Sequence, residues 1–203
     1  MKYDLREIRI LSELKSDLIV EYFDSWIETL VEFNEIRKYL FIKMELCEQN
    51  LRNTIQFMKS IDEKFKTFCF FISCQLLRDL TKCVNYLHSK NIIHRDLTPE
   101  NVLISDGRNG VFLKLCDFNI AKVLGFKDEN DDENNEDQPG EFTRNRGTRF
   151  YMAPEIKTGI YNEKSDMFGL ALIATEIFNF EDSVEKISPK WRRKMYRLFC
   201  LKL

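Results

Sequence analysis

The chain has 203 residues, room for one sizeable domain and not for two ordinary ones. Hydrophobic residues at 44% beside charged residues at 32% exclude a disordered or fibrous chain. The formal charge of −2 conceals an asymmetry: the stretch 127–141 sets eight carboxylates against Lys127, a net of −7, which leaves the remainder near +5. Mild basicity of that size serves solubility as readily as phosphate handling and singles out no partner. Six cysteines without a C-x-x-C pair, and two histidines, argue against zinc and for reduced intracellular thiols, mostly buried. The longest apolar run, 68–77, is interrupted by Ser73 and Gln75 and is too short to span a bilayer. With no signal-like N-terminus, a cytoplasmic chain with no membrane partner is expected.

In chain order, 1–15 reads as an amphipathic helix with Leu5, Ile8, Leu11 and Leu14 on its apolar face. Strands are predicted at 18–26 and, after a polar gap, at 39–46. From 65 to 90 the apolar residues Phe68, Ile72, Leu76, Leu80, Val84 and Leu87 recur every three or four positions, which predicts one long helix with a core-facing stripe. Short strands follow at 91–94, 102–105 and 112–116, the last two separated by Asp106-Gly107 and Asn109-Gly110, both hairpin-turn signals. The acidic, Asn-rich stretch 127–141 has too little apolar surface to order itself and reads as a loop inserted in a folded domain. Nearly every side chain from 165 to 178 is apolar, the mark of a helix buried all round. No glycine precedes Gly107, so a glycine-rich phosphate cradle is not expected within this chain.

Several short motifs stand in a telling order. His94-Arg95-Asp96-Leu97-Thr98-Pro99-Glu100-Asn101 resembles the catalytic loop of eukaryotic protein kinases. Asp117-Phe118-Asn119 is similar to that family's metal-binding D-F-G, and Ala153-Pro154-Glu155, preceded by Gly147-Thr148 and Tyr151-Met152, to the end of its activation segment. Asp166 heads the buried helix where the family keeps an aspartate. The resemblance implies an α+β, protein-kinase-like fold. Its parts would be a partial small lobe at 1–46 (helix plus strands) and a mostly helical large lobe at 47–203, with upstream strands and a C-terminal part missing.

What the resemblance implies for chemistry is specific. Phosphoryl transfer needs positioning and charge neutralisation more than covalent work. Asp96 would orient a substrate hydroxyl and accept its proton; Asn101 and Asp117 would hold Mg²⁺ on ATP, since hard cations prefer carboxylate and amide oxygens. Backbone groups of Glu45 and Cys47 would hydrogen-bond adenine, with Leu103 beneath the ring and Met44 controlling access behind it. Glu7 matches the helix glutamate that pairs with the ATP-binding lysine, a residue that would lie upstream of Met1; a solvated helix charge is the alternative. His94 and Phe118 would pack in a column toward Asp166, which makes His94 structural. Arg95 would hold a phosphate on the activation segment, with Thr143 as the phosphosite and Thr148 touching Asp96. Thr143→Ala is expected to lower any transfer activity and Thr143→Glu to restore part of it; equal rates in all three forms would remove the assignment.

The sequence departs from the pattern in three places. Thr98 stands where Ser/Thr kinases carry a lysine, and Glu100 where tyrosine kinases carry an arginine, so neither phosphate-neutralising cation is present. Losing one such group typically lowers the rate by about 10²–10³. Asn119 replaces a glycine, a mild change because asparagine tolerates left-handed backbone. The basic segment 190–203, with Trp191, Met195 and Leu198 among Arg192, Arg193, Lys194 and Arg197, reads as a docking helix of the large lobe, or else as a binding helix for an acidic partner.

Gly147-Thr148 ahead of Tyr151 is the Ser/Thr-type arrangement. Tyr22-Phe23-Asp24-Ser25-Trp26 with Met44-Glu45-Leu46-Cys47 looks like the kinases of the translation initiation factor 2 alpha subunit, which implies that protein as substrate and no direct nucleic-acid contact. Two functions stay open at this point: a Ser/Thr kinase of low or no activity in this chain alone, and a non-catalytic kinase-like binding module. Nothing in the sequence indicates the oligomeric state.

Overall fold

The computed structural model describes residues 2–32, 35–107, 110, 112–124, 150–158 and 162–178. Helix α1 (Lys2–Glu13) is followed by strands β1 (Tyr22–Glu32) and β2 (Glu35–Met44), then β3 (Gln49–Asn50) and helix α2 (Leu51–Ser60). Helix α3 (Lys66–Ser89) leads into β4 (Ile92–Ile93), a 3₁₀ turn (Pro99–Asn101), β5 (Val102–Ile104), β6 (Leu113–Leu115) and β7 (Lys122–Val123). A second 3₁₀ turn (Pro154–Thr158) precedes helix α4 (Glu163–Ile177). The mixture is α+β, as the motifs implied.

The strands are longer in one place and shorter in another than the sequence suggests. β1 and β2 pair antiparallel from Tyr22↔Met44 to Glu32↔Glu35, so the expected polar gap is strand at 27–32 and 35–38. Trp26 stacks on its partner Phe41 with ring centroids 5.5 Å apart. Conversely, residues 18–20 are not part of β1. Leu18 and Val20 exchange backbone hydrogen bonds with Leu115 at 3.0 Å each, which ties the N-terminal part to the strand that ends beside Asp117.

The predicted apolar stripes are corrected in part: Leu11 and Leu14 on the α1 side, and Leu76, Leu80, Val84 and Leu87 of α3, are buried as expected. Among the described side chains, Glu7, Ile10 and Leu11 of α1 and Leu14 just after it are buried, while Leu5 is exposed and Ile8 only half-buried. A strict three-residue spacing falls behind the 3.6-residue turn, whereas i, i+3, i+4, i+7 follows one face. In α3 the four-residue spacing drifts the opposite way, ahead of the turn, and only its first member, Phe68, is left exposed. Its buried face runs Cys69, Ser73, Leu76, Leu80, Cys83, Val84 and Leu87, and Phe68 is 64% exposed. Buried Asp79 on this helix accepts hydrogen bonds from Lys82, Gln75 and the Phe112 N–H, holding the start of β6 against α3.

Helix α4 is buried nearly all round, as expected. Asn162 caps it, its side chain accepting from the Lys164 N–H at 2.9 Å. Gly169 is required by close approach: a Cβ there would lie 2.9 Å from the Leu97 carbonyl oxygen. α4 thus seats the 94–101 loop directly on its backbone. The thiols are less uniformly buried than expected: Cys69 and Cys83 are buried, Cys47 and Cys116 half-buried, and Cys74 exposed. Among the described residues no helix is long and apolar enough to cross a membrane. The stretches 127–141 and 190–203, with Thr143 and Thr148, lie outside the described residues.

Candidate functional site

The loop between β4 and β5 carries Asp96 and Asn101. Pro99 opens its 3₁₀ turn, where a fixed φ helps and the missing N–H costs nothing. The Asn101 N–H closes the turn on the Thr98 carbonyl at 3.1 Å. Asn101 Nδ2 donates to the Asp96 carbonyl at 2.9 Å and to Asp96 Oδ2 at 3.1 Å. With the nitrogen so engaged, the amide oxygen is the end left to accept or ligate. The Cys116 N–H donates to the Asn101 carbonyl at 3.1 Å, which carries Asp117 alongside. Asp117 adopts φ 62°, a left-handed conformation that aspartate tolerates better than most residues.

Burial raises the Asp96 pKa above the ordinary carboxylate range; His94 and the Asn101 hydrogen bond oppose this, while the charges of Asp117 and Glu100 add to it. Asp96 Oδ1 is buried without a hydrogen-bond partner among the described residues. A buried, unsatisfied acceptor is costly, and an incoming hydroxyl would satisfy it.

Asp166 at the head of α4 fixes the loop. Its carboxylate accepts from the His94 N–H, the Arg95 N–H and His88 Nε2, each at 2.9 Å. Arg95 has φ 71°, a strained value for a side chain of its size, held by that hydrogen bond. His94 is buried, with Nε2 at 3.0 Å from the Cys116 carbonyl and its ring 5.2 Å from that of Phe118. His94 and Phe118 therefore connect Asp166 to the Asp117 segment by packing.

The remaining predicted residues gather around the β3–β5–β6 sheet and the end of β2. Leu103 is half-buried and pairs across the sheet with Lys114, whose ammonium lies 2.6 Å from Glu45 Oε1. The Glu45 N–H donates to the Glu21 carbonyl at 2.9 Å. Burial and the Glu45 charge push the Cys47 thiol up, with Lys114 opposing. Burial, with the charges of Asp117, Cys47 and Glu7, pushes Cys116 up to about 12. Glu7 is 7% exposed, so its alternative reading as a solvated charge is corrected: it lies on the inner stripe of α1, near Cys116. Thr98 is buried, and Met44 is 37% exposed.

One cluster escaped sequence reading. Arg52 on α2 donates through Nε to Glu100 Oε1 at 2.8 Å, through Nη2 to the Tyr151 hydroxyl at 2.6 Å, and through Nη1 to Glu176 Oε2. The Tyr151 hydroxyl donates to Glu176 Oε1. Burial opposes the Arg52 charge, but the bonds to Glu100 and Tyr151 and the Glu176 charge outweigh it and raise its pKa. The clue was Glu176, a carboxylate following the apolar run of α4 from Met167 to Ala174, which requires a buried partner.

Among the described residues no three His, Cys, Asp or Glu side chains gather as a ligand set. A cation here would rest on the Asp117 carboxylate and the Asn101 oxygen, with phosphate and water completing its shell; that donor set fits Mg²⁺ rather than a softer metal.

Comparison with known proteins agrees with this geometry. A family model described as protein kinase domain matches residues 2–198. The chain is 34% identical to the eukaryotic translation initiation factor 2-alpha kinase pek-1 of Caenorhabditis elegans, over 92% of this chain and 18% of that protein. It is 28% identical to the eIF-2-alpha kinase GCN2 of Arabidopsis thaliana, over 86% of this chain and 16% of that protein. It is 33% identical to the mitogen-activated protein kinase spm1 of Schizosaccharomyces pombe, over 87% and 37%. The chain spans less than a fifth of the length of the first two. With the loop, its seat on α4 and the matched span all in agreement, the chain belongs to the protein kinase family.

Proposed function

We propose that the chain is the catalytic body of a Ser/Thr protein kinase that transfers the γ-phosphate of ATP to a protein hydroxyl. The observation that carries this reading is the joined Asp96–Asn101 pair beside Asp117, with Asp96 Oδ1 buried and unsatisfied. In this reading Asp96 orients the hydroxyl and takes its proton. Asn101 and Asp117 would hold Mg²⁺, which when bound supplies charge neutralisation on the triphosphate. The Glu45 carbonyl and Cys47 N–H would receive adenine over Leu103; the Glu45 N–H is already engaged by Glu21. Residues 1–46 would form the small-lobe part and 47–203 the large lobe, with Glu7 facing inward to brace the cleft. Arg95, Thr143 and Thr148 keep their regulatory reading. The names of the two relatives that are translation initiation factor 2-alpha kinases support that alpha subunit as substrate.

A second reading, a kinase-like module that binds a protein without transfer, is favoured by one observation. Thr98 offers no cation, and Glu100 is turned to Arg52. Thermal melting with Mg-ATP separates the two. Nucleotide at about 100 times its Kd would stabilise the native form by about 2.7 kcal/mol; no shift at millimolar nucleotide favours the binding module. In a radiolabel transfer assay, Asp96→Ala is expected to lose roughly 10²–10⁴ in rate, the usual contribution of a positioned base. Equal transfer by both forms would overturn the catalytic assignment.

A further inference from the structure

The linker between β2 and β3 is fastened at Glu45 from two directions. Its N–H donates to the Glu21 carbonyl at 2.9 Å, and its carboxylate meets Lys114 of β6. Lys114 Nζ donates to Glu45 Oε2 at 2.9 Å and lies 2.6 Å from Oε1, so one ammonium spans both carboxylate oxygens. Leu46, the next residue, is 91% exposed and cannot fasten the linker by packing. Strand pairing resumes only at Gln49↔Ile104.

Lys114 owes its place to strand alternation. Leu113 and Leu115 on either side of it are fully buried, which turns Lys114 to the other face of β6. Leu103, its partner across the β5–β6 pairing, shares that face. β3, where the linker ends, lies two strands from β6, about 10 Å away. A compact charge on a four-carbon stem suits that gap. The Lys114 and Glu45 side chains are only 13% and 21% exposed, so salt screens their attraction weakly. Yet such a pair is a poor source of stability, because desolvation offsets much of the attraction. What it supplies is position.

We propose that Lys114 is a positioning residue, whose ion pair with Glu45 sets the linker backbone to read the edge of a nucleotide base. The role rests on the nucleotide reading above. The Glu45 carbonyl would accept from the 6-amino group of adenine, and the Cys47 N–H would donate to its N1. Hypoxanthine offers a carbonyl and an N–H at those two places, the reverse pattern, so a correctly held linker rejects it.

The test compares Mg-ATP with Mg-inosine triphosphate, which differ only in the base, by isothermal titration calorimetry on the full chain. The native chain is expected to bind ATP at least about tenfold more tightly, since the wrong base leaves polar groups unpaired. In Lys114→Met the preference is expected to fall below about threefold through weaker ATP binding, with inosine triphosphate affected little. Lys114→Arg, which can also span a carboxylate, should keep most of the preference. Should Lys114→Met fail to fold because Glu45 is left unpaired, Lys114→Met with Glu45→Leu removes both charges and must show the same loss. An unchanged preference in these variants overturns the role of Lys114 and leaves the nucleotide reading standing. An equal loss for both nucleotides marks general destabilisation and overturns it too. A native chain that binds neither nucleotide, or both equally, overturns the reading of the linker as a base-binding segment and this role with it.

Discussion

Arg52→Ala is expected to cost about 3–5 kcal/mol, the range for breaking a buried ion pair by removing one partner. The reason is Glu176, 3% exposed, which would be left charged inside α4 with only the Tyr151 hydroxyl. The pairing with Glu100 adds little, since that carboxylate is 52% exposed and screened by solvent. For a chain of this size the loss corresponds to a fall in Tm of roughly 10 °C, read by far-UV circular dichroism. Arg52→Ala combined with Glu176→Gln should recover a substantial part of the loss, because the uncompensated charge goes with its partner. A single variant within 1 kcal/mol of the parent in urea unfolding would mean that the cluster does not hold α2, Tyr151 and α4 together. Because Glu100 adjoins Asn101, the same substitution is expected to loosen the loop that carries Asp96.

The site was more legible than the packing around it. Asp96, Asn101 and Asp117 belong to short motifs whose residue types are dictated by chemistry, and a local turn and one strand pairing bring them together. The α3 stripe held at Leu76, Leu80, Val84 and Leu87 and failed at Phe68, whereas the α1 stripe failed at Leu5 and Ile8, because apolar residues were matched at constant spacings of three or four. Glu7, singled out by motif and not by periodicity, sits on the buried stripe of α1. The β1–β2 hairpin was cut short because its charged residues face solvent on an exposed two-stranded sheet, where polar composition carries no signal against strand. Helix α2 went unread, and with it Arg52. Its cap is legible in retrospect: Asn50 accepts from the Asn53 N–H at 3.1 Å ahead of Leu51 and Ile55. The Arg52 cluster joins residues as far as 124 positions apart, which no local pattern encodes.

Asp166→Asn is expected to be nearly as damaging, and to act on the site more directly. The carboxylate receives three donors at 2.9 Å, two of them consecutive backbone N–H groups of the 94–101 loop. An amide has one accepting oxygen; its nitrogen would face a donor, leaving at least one buried N–H unsatisfied at about 1–3 kcal/mol. The Arg95 backbone adds to this. Its φ of 71° is maintained against a cost of about 1–3 kcal/mol that surrounding contacts must offset. With that anchor weakened, the loop relaxes toward ordinary backbone angles, and Asp96, the next residue, loses its alignment with Asn101. Amide exchange at His94 and Arg95 should accelerate well before global unfolding, while the amides of α3 keep their protection. If the two loop amides exchange at parental rates in Asp166→Asn, the loop is held by its seat on Gly169 and by His94 packing on Phe118, and Asp166 is not what fixes the position of Asp96.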